Sequence, residues 1–220
     1  MKYNKDELSS SIDNMINEIK FILEMRKNVY SFIPNVKKNE ESGIPIAFEL
    51  AEKLNVSKTA IYKWLKNKNF PARKIYDILI YLNRTEEAFQ YINSIKCFDY
   101  VFINSNNIRF LTNKLANNKS ECNSIYYSKT TEKVNRNFNC SEMEIKMCIE
   151  YLDYFRKNSD ISDIYLFLKL YHYTIDENYL EMTIVRKAQE LFTDYSKAKY
   201  YNLSDFTVNY LRNELIKTLG

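Results

Sequence analysis

Apolar residues recur along this chain at intervals of three and four, the spacing of one helix face. Between Asp6 and Tyr30, the residues Leu8, Ile12, Met15, Ile19, Ile22 and Val29 alternate in steps of four and three, with Arg26 in the remaining slot. This seam of about three heptads is either the buried face of an amphipathic helix in its own domain or a dimer helix. Ser31 to Gly43 is a polar connection, and Pro45 suits the first turn of the next helix. Two short helices are then predicted, the first with Leu50, Ala51 and Leu54 inward, the second with Ile61, Trp64 and Leu65 inward. A third runs from Pro71 to Leu82 on Ile75, Ile78, Leu79 and Leu82, and Thr85 caps a fourth that ends near Ile95.

The pattern weakens between Ser94 and Asn139. Val101-Phe102-Ile103 reads either as a short strand or as one turn of helix, and Asn104 to Asn107 reads as a break. Arg109 to Ala116 is helical again, and Asn117 to Asn139 is loop-like. Periodicity returns at Ser141-Glu142-Met143-Glu144, a capping box that opens a helix with Ile145, Cys148, Ile149, Leu152 and Phe155 on one face. Ile164 to Tyr173 is apolar enough to be buried, and Tyr179–Tyr195 and Ser204–Leu219 are two further amphipathic helices. With only two glycines and three prolines, long helices joined by Asn, Ser and Lys loops are expected, hence an all-α fold. The expected organisation is a helical domain over 1–118, a linker over 119–139 and a C-terminal helical domain over 140–220 for dimerisation or partner binding. A hydrophobic content of 45% and an aromatic content of 15% exclude a disordered chain.

The stretch Ala47–Lys66, AFELAEKLNVSKTAIYKWLK, carries the most specific pattern. Ala51 is small where two helices would cross closely. Asn55 stands at a corner that needs φ > 0, a conformation Asn tolerates better than most residues. Val56 closes the turn and Ser57 is placed to cap the second helix. The outward positions of that helix, Ser57, Lys58, Thr59, Tyr62, Lys63 and Lys66, are polar or basic and none is acidic. From Ile46 to Asn83 the chain resembles the Cro/C1-type helix-turn-helix family of bacterial and phage repressors, including a following helix after Phe70-Pro71-Ala72-Arg73. It departs from the family in having Asn55 where a corner glycine is usual. The match covers about a sixth of the chain.

The resemblance implies an N-terminal repressor-like bundle whose second helix enters the major groove of double-stranded DNA. Lys58, Thr59, Tyr62 and Lys63 would then read base edges, with Lys66 at the groove rim. Ser57 would cap the helix and touch phosphate, and Lys68 and Arg73 would hold backbone phosphates. The implied function is a sequence-specific transcriptional regulator of bacterial, phage or mobile-element origin, acting as a dimeric repressor in the cytoplasm. The rivals are a protein-interaction module, such as an antitoxin or an adaptor binding through its C-terminal domain, and a DNA recombination or replication accessory factor. Asp194–Leu211 aligns with the same motif through Ala198, Leu203, Val208 and Leu211, but Lys197 breaks the pattern and Asp205 would face phosphates. Ordinary packed helices are the other reading of that segment.

Charge sharpens this picture. The net charge is only +4, yet Ile46–Arg84 holds eight Lys or Arg against three acids, while residues 1–45 balance at seven each. The last 80 residues carry ten basic and thirteen acidic residues, which suits a partner-binding or self-binding unit better than a DNA-binding one. The scattered Lys119, Lys129, Lys133 and Arg136 form either a surface loop or a second DNA contact. Cys97, Cys122, Cys140 and Cys148 make no C-x-x-C pair and His172 stands alone, so neither zinc, nor any other cofactor, nor a disulfide framework is expected. No Ser-His-Asp, Cys-His or glycine-rich phosphate loop can be assembled, and an enzyme is not expected. No apolar run approaches about 18 residues, so no membrane span is expected, and the polar start Met1–Ser11 carries no secretion signal.

Overall fold

The structure is a computed structural model that describes residues 4–33, 46–68, 70–106, 141–175 and 182–220. The fold is all-α. Among the described residues the helices are α1 (Lys5–Phe32), α2 (Ile46–Lys53), α3 (Lys58–Asn67), α4 (Ala72–Tyr81), α5 (Thr85–Asn106), α6 (Glu142–Asn158), α7 (Ile161–Ile175), α8 (Met182–Tyr200) and α9 (Asp205–Leu219). No helix among these residues is long and apolar enough to cross a membrane. Pro45, Arg109–Ala116 and the segment 117–139, with its scattered basic residues, lie outside the described residues, as does the partition drawn from sequence at 118 and 140.

The helices belong to two compact units. One takes residues 18–33 and 46–95 with 141–145, and the other takes 4–17, 96–106 and 146–220. α1 and α5 therefore each contribute one half to either unit. The apolar seam of α1 is used inside the chain: Ile12, Met15, Ile19, Ile22 and Val29 are all buried. Leu8, at the start of the seam, is half-buried.

Three helices end here on asparagine, in a chain that has only two glycines. Asn55, Asn83 and Asn202 all sit in the left-handed region, at φ 49°, 57° and 49°. At each, two backbone bonds close the preceding helix. Val56 N donates to Ala51 O at 2.9 Å and Asn55 N to Glu52 O at 3.1 Å, and the same pair recurs after α4 and after α8. This is the Schellman closure, with asparagine in the position that glycine usually takes.

Two sequence expectations give way. The segment 96–106, where a strand and an Asn-rich break were considered, is the second half of α5. Cys97, Phe98, Tyr100, Val101, Phe102, Asn104 and Ser105 are all buried, so the helix is covered on most sides and loses the one-sided pattern that marks a surface helix. Asn104 Nδ2 donates to Tyr100 O at 2.8 Å and Ser105 Oγ to Phe102 O at 3.1 Å, so residues that favour turns bond back along their own helix. The second difference concerns α3, where Ile61 is fully buried but Trp64 and Leu65 are only half-buried.

In the unit that takes 4–17, 96–106 and 146–220, the rings of Tyr100, Phe155 and Phe192 surround Phe167 at centroid distances of 5.0, 4.9 and 6.0 Å. The buried Tyr100 hydroxyl donates to Phe167 O at 2.6 Å. Asp163, buried in the first turn of α7, accepts from Tyr195 Oη and Lys199 Nζ of α8, each at 2.5 Å. The capping box at the start of α6 forms as expected: Glu144 N donates to Ser141 Oγ at 3.1 Å and Ser141 N to Glu144 Oε2 at 2.7 Å.

Candidate nucleic-acid interface

The candidate surface is α3, and three devices hold it. Its N-terminus is set by Ser57, whose Oγ accepts from Ala60 N at 3.2 Å. Its back rests on α2 through the buried Ala51, Leu50 and Ile61. Its far end is backed by Phe70, fully buried, with its ring 5.8 Å from that of Trp64. The helix stops at Lys68, which adopts φ 48°.

The outward face holds what the sequence puts there. Ser57, Lys58, Thr59, Tyr62, Lys63 and Lys66 are all exposed, and no acid stands in the first turn of α3. The positive end of the helix dipole therefore meets no neutralising carboxylate on its own helix. Tyr62, at 41% exposure, presents its ring outward. Two cations are held back. Lys58 Nζ lies 3.6 Å from the centre of the Phe48 ring, and Lys68 Nζ lies 5.0 Å from that of Tyr30. Leaving such a ring costs about 0.5–1 kcal/mol at an exposed site, so Lys58 is less free to reach a base edge than Lys63. The side chain of Arg73 lies outside the described residues.

Sequence reasoning missed the supports beneath this face. Lys74 Nζ donates to Leu54 O at 2.9 Å, so α4 caps the last turn of α2 with a cation. Lys74 contributes to the basic count of the segment, yet it serves as an internal clamp. Tyr81 Oη donates to Glu49 Oε2 at 2.5 Å, tying the end of α4 to α2 across 32 residues of sequence. Neither pairing leaves a local signal, because the partners are brought together only by the bundle. An open hollow of about 810 Å³ lies at the elbow of α2 and α3, lined by Phe48, Glu49, Glu52, Asn55, Ser57 and Lys58 among others.

Tyr81 is pushed up to about 12 from its ordinary 10.0, first by burial and then by the hydrogen bond and charge of Glu49. A phenol raised in the folded state stabilises the fold fully below its unfolded value and loses that contribution as pH rises through the folded one. The α2–α4 tie is thus expected to weaken between pH 10 and about 12. A difference titration of phenolate absorbance between the wild type and Tyr81→Phe should place the missing transition near the upper value. A transition at the ordinary value would show that the tie does not form.

Among the described residues no group of three His, Cys, Asp or Glu could hold a metal ion. Cys97 and Cys148 are buried, and neither forms a disulfide with a described residue. No family model, no curated protein and no solved structure matches the chain.

Proposed function

We propose that the protein is a sequence-specific DNA-binding transcriptional regulator that acts in the cytoplasm as a dimeric repressor. One observation carries the reading: α3 exposes Ser57, Lys58, Thr59, Tyr62, Lys63 and Lys66 on one face and packs Ile61 on the other, behind a tight turn at Asn55. This chemistry suits a helix seated in a major groove. Thr59, Tyr62 and Lys63 read base edges, and Lys58 joins them once it leaves the Phe48 ring. Ser57, Lys66, Lys68 and Arg73 contact phosphates and set the register of the module. A net excess of five positive charges over Ile46–Arg84 supplies the non-specific part of the affinity. A dimer follows from the discrimination required, since one helix reading a few base pairs does not compete with a genome of alternative sites.

Footprinting on the DNA that flanks its own gene tests the reading. A protected site with two halves about one helical turn, ~34 Å, apart is expected. Lys63→Ala and Thr59→Ala should each weaken binding to that site by about 1–3 kcal/mol, with an unchanged helical signal. Equal losses on random DNA would reduce both residues to charge neutralisation or packing. Full retention of affinity would remove α3 from the groove.

A further inference from the structure

The turn between α8 and α9 repeats the construction of the turn between α2 and α3. Ala198, Asn202, Leu203, Ser204 and Val208 stand where Ala51, Asn55, Val56, Ser57 and Ile61 stand in the first. The backbone bonds correspond as well: Leu203 N donates to Ala198 O at 2.9 Å and Asn202 N to Lys199 O at 3.1 Å. Ser204 Oγ accepts from Thr207 N at 3.4 Å, as Ser57 does from Ala60. Ala198 is buried like Ala51, so the two helices cross closely in both places.

The outward chemistry is the reverse. Leu54, just before the first corner, is 2% exposed, whereas its counterpart Tyr201 is 55% exposed. Leu203 is 50% exposed, and Phe206 and Tyr210, standing where Thr59 and Lys63 stand on α3, are 81% and 56% exposed. Residues 201–210 contain no Lys or Arg, and Asp205 opens the helix. Such a face repels phosphate and invites protein.

We propose that this α8–α9 tip is a self-docking surface, on which a second copy of the chain packs its own tip about a two-fold axis. The face supplies the dimer contact that the DNA-binding reading calls for, and to that extent rests on it. Charge selects the occupant. Asp205 is exposed and Arg212 half-buried, seven residues apart on one flank of α9. Antiparallel pairing of two α9 helices sets Asp205 of each copy towards Arg212 of the other, and Phe206 of each against Tyr210 of the other. The area is also of the right order. At roughly 150–250 Å² per aromatic side chain, these exposures amount to roughly 500 Å² per copy and ~1,000 Å² per pair. Flanking Asn209 and Asn213 bring this towards the ~1,200 Å² at which stable interfaces begin.

Sedimentation velocity of the full chain without DNA, at micromolar concentration, tests the inference. The wild type is expected to be a dimer. Phe206→Asp and Tyr210→Asp should each raise the dimer dissociation constant by roughly tenfold or more, because a carboxylate would be buried in an apolar contact. Both positions are exposed, so the helical signal and the melting temperature of the monomer should not change. Asp205→Arg should weaken the dimer. A monomeric wild type, whether the face is bare or covered by residues 107–140, overturns the inference, and so does a dimer insensitive to both aspartates. A monomer that still footprints its own flanking DNA would sink this face and leave the DNA reading intact. A dimer that binds no DNA would do the opposite.

Discussion

Phe167→Ala is expected to cost about 3–5 kcal/mol of folding stability, the range for removing a fully buried aromatic ring. Phe167 is 0% exposed on α7, and the rings around it come from α5, α6 and α8. Removing it leaves a void that four helices border and that none can fill without moving the others. The Tyr100 hydroxyl, which donates to the carbonyl of residue 167, lies beside that void. Urea denaturation followed by helical circular dichroism gives the measurement. A loss below about 1 kcal/mol would mean that the ring does not sit at the centre of this unit.

Phe70→Ala should cost a similar ~3–5 kcal/mol and should act on function through the fold. Phe70 is 0% exposed and supports Trp64 from behind, and Trp64 is the sole tryptophan of the chain. Its loss opens a cavity beneath α3, so binding should fall on all DNA sequences, unlike the selective loss expected for Lys63→Ala. Trp64 emission reports the change directly and should shift to longer wavelength in Phe70→Ala. Trp64→Ala itself should cost less, because its ring is only half-buried and the area returned to water is smaller. An unchanged emission maximum in Phe70→Ala would show that the two rings are not in contact.

The all-helical fold was legible because helix signals are local. The steps of three and four in α1 and α4, the capping box at Ser141, the Ser57 cap and the left-handed Asn55 all depend on residues within a few positions of one another. The exposure of Lys63, Lys66, Thr59 and Tyr62 was legible for the same reason, since one face of a short helix is settled once the other is apolar. Residues 96–106 were opaque because burial on most sides erases periodicity, and because Asn104 and Ser105 satisfy themselves on their own helix where they could have ended it. For α8–α9 the sequence contained the turn but not the exposure of Tyr201, Leu203, Phe206 and Tyr210, since exposure depends on which other helices arrive.

What the sequence by itself determined is the set of helices with clear one-sided patterns, their corners and the basic face of α3. Each of these follows from short-range sterics, capping and the position of charge along the chain. Only the tertiary structure decided that the α1 seam is internal, that Lys74 and Tyr81 clamp α2 rather than meet solvent, and that Lys58 rests on Phe48. It likewise decided that Asp163 is a buried acceptor for Tyr195 and Lys199. These contacts join residues up to 36 positions apart, and an amphipathic stripe says that a helix is covered without saying by what.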